Sequence, residues 1–237
     1  MRKSRYKRKD SSEKHSKGAA LFKEFILGGQ DGLVNVLGIL LGMATATQNA
    51  KLVIIAGLAA TFAESISMGA VAFTSTKAQA DYYSSEEKKE EYEILTVPQT
   101  EKKEIYDIYY KKGFRGKLLN DIVKNITSDK KRWRDIMMKE ELNLSKEFAS
   151  PMKSAIIVLI ASFIGSIIPL MSFFFFPIKM AVIYSLIISA IALFITGAIE
   201  AKLTLKNWLS KGLQLMLIGM GAALIGFLVG KFAGFSG

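Results

Sequence analysis

Residues 153–176 read KSAIIVLIASFIGSIIPLMSFFFF, and this nearly unbroken apolar stretch decides the fold class. A hydrocarbon core about 30 Å thick is crossed by about 20 apolar residues in helical form, so the stretch is long enough to span a membrane. Four further segments have the same character, at 24–47, 52–76, 179–201 and 211–233. Because half of all residues are hydrophobic and gather into blocks, the sequence predicts an all-α membrane protein with five transmembrane helices.

A charged stretch interrupts this pattern between the second and third apolar segments. Residues 77–153 contain 15 of the 21 acidic residues and 17 of the 32 basic residues. We therefore expect a cytosolic helical domain inserted between transmembrane helices 2 and 3. Chain breakers at Val97-Pro98 and at Gly113 divide it into three predicted helices. The first extends transmembrane helix 2 to about Glu93, the second begins near Thr100, and the third covers about 128–142.

The distribution of basic residues predicts the orientation in the membrane. Lysine and arginine are concentrated before residue 23 and in the charged stretch, and the positive-inside rule places both in the cytosol. Five spans then place the C-terminus outside. The predicted organisation is a basic cytosolic tail over 1–22, transmembrane helices 1 and 2 over 23–76, the cytosolic metal-binding domain over 77–152 and transmembrane helices 3 to 5 over 153–237.

Several classes of function are disfavoured by what the sequence lacks. The net charge of +11 reflects basic residues that set the orientation in the membrane. Nucleic-acid binding is disfavoured, because no recognition motif accompanies these residues. The chain has no cysteine, and its one histidine, His15, lies in the basic tail, so oxygen and thioether ligands remain for a metal site. No nucleophile and base pair or nucleotide loop indicates an enzyme, and no prosthetic group is expected. Because the chain is short and shows no targeting extension beyond the basic tail, we expect a prokaryotic plasma membrane, with a vacuolar or other organelle membrane as the alternative.

Acidic side chains within the first two apolar segments indicate a cation path. They are Glu24, Asp31 and Glu64. A carboxylate at the centre of a membrane costs roughly 2.5 to 3.5 kcal/mol, so such residues usually face a partner, a wet cavity or a permeating ion. Glu24 and Asp31 lie on nearly one helical stripe, about 10.5 Å apart in depth, and Met68 follows Glu64 by one turn. Carboxylates with a thioether admit Fe²⁺, Mn²⁺, Co²⁺ or Zn²⁺, and a bound ion must displace protons.

The charged stretch carries acids at helical spacing as well. Glu90 and Glu93 share one helical face, and Glu101 and Glu104 share a face of the next predicted helix. Two such faces packed together make an oxygen-rich cage. Lysines interleaved with these acids favour the alternative of a solvated helix surface, and methionines nearby would ordinarily fill a core.

Several motifs resemble the vacuolar iron transporter family and occur along nearly the whole chain from about residue 20. They are Gly28-Gly29-Gln30-Asp31-Gly32-Leu33-Val34, Ala56-Gly57-Leu58-Ala59, Glu64-Ser65-Ile66-Ser67-Met68-Gly69-Ala70, Thr96-Val97-Pro98 and Met137-Met138-Lys139-Glu140-Glu141-Leu142. The resemblance implies a homodimeric, five-helix exporter that moves Fe²⁺ and Mn²⁺ out of the cytosol in exchange for protons.

The same resemblance implies roles for individual residues. It matches Asp31 and Met68 to the translocation ligands and Glu24 to an acid at the cytosolic mouth. The ligands that it implies for the cytosolic domain are Glu90, Glu93, Glu101, Glu104, Met137, Met138 and Glu141. Plant-like members of the family carry a glutamate directly after Ala-Gly-Leu-Ala, where this chain has Ala60. We expect Glu64, one turn later on the same helical face, to compensate.

Two alternatives to an exporter share these ligands. A passive divalent-cation channel would lack proton coupling, and a membrane-anchored metal buffer or sensor would use the helices only as a tether. Glycines spaced four apart also mark close helix packing. We expect Gly28 with Gly32 and Gly38 with Gly42 to form a dimer contact, and Gly226 with Gly230 to pack within one subunit.

Overall fold

A computed structural model of the protein describes residues 12–47, 49–145, 150–203 and 207–234. Residues 1–11 of the predicted tail lie outside this part, as does the side chain of His15. Eight helices make up the described ranges, which contain no strand. They are α1 (Ser12–Thr47), α2 (Ala50–Thr96), α3 (Pro98–Lys111), α4 (Gly116–Thr127), α5 (Lys130–Glu140), α6 (Pro151–Phe175), α7 (Ile178–Leu203) and α8 (Trp208–Gly234).

Five of these helices are long and apolar enough to cross a membrane, which confirms the predicted number of spans. The candidate spans are Leu21–Thr47, Ala50–Thr96, Pro151–Phe175, Ile178–Lys202 and Trp208–Phe232. Except at the end of α2, their bounds agree with the predicted ones to within one helical turn. The agreement follows because hydrophobic length is a local property of the sequence. The first helix differs in one respect, since α1 begins at Ser12 and makes the second half of the predicted basic tail helical.

The chain divides into two compact units. The first, which we call the membrane unit, contains the residues up to Thr74 and from 149 onward; the second, the acidic unit, covers 75–148. In the membrane unit, α1 packs along α6 and α8 and also contacts α7. Buried α1 side chains, among them Val36, Leu37 and Leu40, form the centre of its two apolar clusters. The most central helix is therefore also the one that carries Glu24 and Asp31.

Close packing around α1 depends on glycine. A Cβ atom added at Gly165 of α6 would overlap the carbonyl oxygen of Gly29, and one added at Gly32 would overlap the carbonyl oxygen of Ser162. On the other side of α1, a Cβ atom at Gly226 or at Gly230 of α8 would overlap the backbone of the facing α1 glycine. Helix backbones approach this closely only where side chains are absent.

These contacts correct the predicted use of the α1 glycines. Of the glycines expected to mark a dimer contact, Gly28 and Gly32 face α6 and Gly42 faces α8 of the same chain, whereas a Cβ atom added at Gly38 would meet nothing within 4 Å. The expectation for Gly226 and Gly230, intrasubunit packing, is confirmed. Spacing alone does not say which neighbour a small-residue stripe meets, because the stripe fits any helix that brings a matching surface.

The acidic unit has its own apolar core and one helix more than the sequence predicted. Its core contains Ile94, Ile105, Ile126, Trp133 and Met137, from four helices. The unpredicted helix is α4, whose apolar residues Leu119, Ile122, Val123 and Ile126 recur at helical spacing. Gly113 and Gly116 both have positive φ angles, 99° and 57°, and form the turn from which α4 starts.

The start of α3 also differs from the prediction. The helix begins at Pro98, and Val97 occupies the N-cap position, so Thr100 does not cap it. Proline suits the first turn of a helix because its fixed φ is already helical and its missing N–H would have no partner there. The prediction that Glu101 lies in the first turn of this helix is confirmed.

Replacing Gly165 with alanine tests the α1–α6 packing. The new methyl group would overlap the Gly29 carbonyl, so we expect a loss of about 1 to 3 kcal/mol in the free energy of unfolding. The matched control is Gly221→Ala in α8, where an added Cβ meets nothing within 4 Å. Thermal unfolding of both variants in detergent measures the difference, and equal midpoints for the two would contradict the packing described here.

Candidate metal sites

The polar centre of the membrane unit joins α1 to α2. The side chains of Asp31 and Glu64 are in hydrogen-bond contact, and Asn35 Nδ2 donates to Glu64 Oε1 over 3.0 Å. Asn35 follows Asp31 by one helical turn, so both residues lie on the face of α1 that meets α2. Two carboxyl groups this close repel each other unless a proton or a cation lies between them.

Met68 and Ala60 lie one turn to either side of Glu64 on the same face of α2. The side chains of Asp31, Glu64 and Met68 are partly buried, whereas Asn35 is exposed. The polar centre thus reaches the surface of a single chain instead of being enclosed by it. The structure brings Asp31 and Glu64 together, and it places the sulfur-bearing Met68 on the adjacent turn.

Glu24 occupies a separate place, two turns before Asp31 on α1. Ser154 of α6 is fully buried and donates its hydroxyl to Glu24 Oε1 over 3.0 Å. The other carboxylate oxygen, Oε2, is also buried and has no hydrogen-bond partner among the described residues. A buried carboxylate oxygen without a donor is costly, and a cation would compensate it. The Ser154 contact was not predicted, because its partners are 130 positions apart in the sequence.

In the acidic unit, five glutamates from three helices lie within electrostatic range of one another. They are Glu90 and Glu93 of α2, Glu101 and Glu104 of α3, and Glu141, the C-cap residue of α5. Glu90 and Glu101 are only 3% and 4% exposed. Each has one carboxylate oxygen, Oε2, that is buried without a hydrogen-bond partner among the described residues. The fold thus brings together acids that the sequence distributes over more than 50 positions.

Burial and mutual repulsion change the acidity of this cluster. Burial raises the pKa of Glu90 to about 7, and the negative charges of Glu141 and Glu101 add to the effect. The pKa of Glu101 is also raised to about 7, first by burial and then by Glu104 and Glu93. The pKa of Glu141 is raised for the same reasons, although Lys89 opposes the shift. Near neutral pH, protons and metal ions would therefore compete for these carboxylates.

The five glutamates lie near one another but do not converge on a point. In the part of the chain that the structure describes, no group of three or more acidic or histidine side chains is arranged to hold a metal ion. The orphaned buried oxygens of Glu90 and Glu101 are the atoms that a cation would satisfy.

The two methionines of α5 differ in what they contact. Both are buried, Met137 completely and Met138 to 1% exposure. Met137 packs in the core of the acidic unit beside Trp133, which is the core-filling role that methionine usually has. Met138 lies outside that apolar cluster. Met137 is therefore chiefly a core residue.

Arg134 ties α5 to α2. Its guanidinium lies 3.3 Å from Glu87 and hydrogen-bonds to Glu91, both on α2, and it also pairs with the neighbouring Asp135. Because the Arg134 side chain is only 16% exposed, the pairing is less screened than a surface ion pair. This contact holds the helix that carries Met138 and Glu141 against the helix that carries Glu90. No spacing in the sequence indicates it, since Arg134 and Glu91 are 43 positions apart.

The raised pKa values predict that the metal-free acidic unit loses stability as the pH rises. The folded state holds protons on Glu90 and Glu101 up to a pKa of about 7, against 4.5 for an ordinary glutamate. Stability is therefore fully present below about pH 4.5 and is lost through about pH 7. We expect the unfolding midpoint to fall over this range and Glu90→Gln to reduce the fall.

Fluorescence of Trp133 in Trp208→Phe protein follows the acidic unit alone, since the chain has 2 tryptophans. Asp107→Asn, which removes an exposed carboxylate of α3, is the control and should leave the pH profile unchanged. A profile that Glu90→Gln does not alter would show that this carboxyl is not the source of the pH dependence.

Comparison with known proteins relates these two units to a family. The model of the VIT family matches residues 22–231. Vacuolar iron transporter 1 of Tulipa gesneriana is 31% identical over 224 residues, which cover 94% of this chain and 91% of the relative. The Eucalyptus grandis protein of the same name is 32% identical over 221 residues, with coverage of 92% and 89%. The vacuolar iron transporter of Plasmodium falciparum (isolate 3D7) is 30% identical over 229 residues, with coverage of 92% and 84%. This chain therefore belongs to the VIT family, as its motifs indicated.

Proposed function

We propose that the protein transports Fe²⁺ and Mn²⁺ across a membrane, out of the cytosol, and takes up protons in exchange. The observation that carries this proposal is the contact between Asp31 and Glu64 in the membrane unit. Two carboxyl groups facing each other within apolar helices are costly unless a proton or a cation lies between them. The relatives named above are called vacuolar iron transporters, which supports a metal ion as the transported species.

The chemistry of the pair accounts for exchange. A divalent ion entering between Asp31 and Glu64 displaces the proton that they share, because the metal binds deprotonated carboxylates. When the ion leaves, the pair takes up a proton again. If the two steps occur from opposite sides of the membrane, metal and protons move in opposite directions.

Ligand type favours transition metals. Carboxylate oxygens alone would suit Mg²⁺ or Ca²⁺, but the thioether of Met68 on the next turn is a softer ligand. Fe²⁺ and Mn²⁺ are the ions that we propose, and Co²⁺ and Zn²⁺ are compatible with the same ligands. All of these ions are cargo, and no prosthetic group or catalytic residue enters the proposal.

The acidic unit is proposed to collect ions. Its ligands would be Glu90, Glu93, Glu101, Glu104, Met138 and Glu141, with Met137 chiefly in the core. The buried Oε2 atoms of Glu90 and Glu101 have no hydrogen-bond partner among the described residues, so a bound cation would compensate them. Because the pKa values of both carboxyl groups are about 7, protons would compete with the cation near neutral pH. Collection on the cytosolic side requires the N-terminus and this unit to be cytosolic, as the positive-inside rule favours.

A second copy of the chain is proposed to complete the path. Asn35 is exposed and the neighbouring acids are only partly buried in a single chain, although polar groups in a membrane normally face protein or water. A homodimer in which two such faces meet would enclose them. The names of the relatives favour a vacuolar or other organelle membrane, and a prokaryotic plasma membrane is the alternative.

Vesicle transport with a lumenal pH dye tests the central proposal. In inside-out vesicles we expect metal uptake to be accompanied by a rise in lumenal pH, because protons leave as metal enters. Asp31→Asn should lower the rate of both at least about tenfold, since it removes an ion ligand and the shared proton. The control is Thr196→Val in α7, whose hydroxyl donates to the carbonyl of its own helix.

The same measurement separates the alternatives. Metal uptake without any change of lumenal pH would indicate a passive channel. No uptake by wild-type protein that nevertheless binds the metal would indicate a buffer or sensor. Either result would overturn proton exchange.

Weakening the acidic unit should change affinity more than maximal rate. We expect the double variant Glu90→Gln, Glu101→Gln to raise the KM for metal uptake about tenfold, because it removes the two most buried charges that attract the ion. Maximal rate should stay within about twofold, since these residues lie outside the membrane path in this proposal. An unchanged KM would contradict the collecting role, and Asp107→Asn again serves as the exposed control.

A further inference from the structure

Asn35 makes a contact that the proposed mechanism does not yet use. Its side chain leaves α1 and donates to Glu64 Oε1 of α2 over 3.0 Å. Asp31, one turn away on α1, contacts the same carboxyl group. A single side chain of α2 is thus approached by two side chains of α1, of which only one is acidic.

A glutamate in this position needs restraint. Its carboxyl group is carried by three rotatable bonds, and an ion binds tightly only if its ligands are already held in place. The Asn35 amide supplies such restraint without adding charge. A lysine or arginine at this position would repel the cation, and a further carboxylate would repel Glu64.

We propose that Asn35 is a positioning residue, which holds the Glu64 carboxylate opposite Asp31 so that the two acids bind one divalent ion together. The inference rests on the proposed function, since it specifies how the membrane path obtains its second carboxylate. Asn35 acts through Glu64 and not on the ion. Its amide hydrogen occupies Glu64 Oε1, and the other oxygen, Oε2, remains for the ion.

The competing explanation is structural. Interhelical hydrogen bonds between polar side chains also hold membrane helices together. A purely structural bond would alter the stability of the protein, but it would not alter metal affinity in a manner that depends on Glu64. A double-mutant cycle makes that distinction.

The experiment measures Mn²⁺ binding to purified full-length protein by the resonance signal of the free ion. All variants carry Glu90→Gln and Glu101→Gln, which weaken binding in the acidic unit. We expect Asn35→Leu, similar in size but without a donor, to raise the Kd about tenfold, as for the loss of a hydrogen bond to a charged group. In protein that also carries Glu64→Ala, the same change should alter the Kd less than about twofold.

Two controls protect the interpretation. Thr74→Val in α2 removes a hydroxyl that donates to carbonyl groups of its own helix and should leave the Kd unchanged. Glu64→Gln replaces Glu64→Ala if the alanine variant elutes as aggregate from a sizing column.

Each outcome decides the matter. A Kd that Asn35→Leu leaves unchanged overturns the inference, as does an equal change with and without Glu64, which would mean that Asn35 acts on the ion or on the fold. The absence of any Mn²⁺ binding that depends on Glu64 overturns it too. Because binding is measured without transport, a protein that shows the expected cycle but moves no metal into vesicles rejects the proposed function alone.

Discussion

Two carboxyl groups that face each other from apolar helices are the constraint on which the membrane unit depends. Asp31 and Glu64 lie in segments that are long and apolar enough to cross a membrane. Solvent there cannot neutralise or solvate them, so each must find a donor, a proton or a cation. In the structure the two acids contact each other, and Asn35 donates a hydrogen bond to Glu64. In the exchange that we propose, a proton takes the place of the cation when the ion leaves.

Helix α1 combines close packing with polar contacts. The faces toward α6 and α8 carry glycines, which let the backbones approach until an added Cβ would overlap the neighbour. The face toward α2 carries Asp31 and Asn35. Tight packing against α6 and α8 fixes the position of α1 and so holds its polar side chains in place. Asp31, Asn35, Gly38 and Gly42 recur at helical spacing, so the polar contacts and the packing against α8 use successive turns of nearly one helical face.

Features that depend on local sequence were predictable, and features that depend on distant pairs were not. The five spans follow from apolar length, and the family follows from motifs in order. By contrast, Asn35 with Glu64, Ser154 with Glu24 and Arg134 with Glu91 join residues separated by 29, 130 and 43 positions. No local sequence pattern predicts contacts between residues so far apart in the chain. Helix α4 is the exception, because the helical spacing of Leu119, Ile122, Val123 and Ile126 is a local signal that predicts a helix here.

The Asp31–Glu64 pair of the membrane unit and the glutamate cluster of the acidic unit differ in how their buried carboxyl groups are compensated. In the membrane unit, Glu64 has a neutral donor and a second carboxyl group beside it. In the acidic unit, Glu90 and Glu101 each keep a buried oxygen without a partner, and the pKa of each is about 7. Small changes of pH around neutrality therefore change how many of these carboxylates are free for a metal ion. Because acidification protonates them, a lower pH would reduce the metal binding that we propose for this unit, whatever the state of the membrane pair.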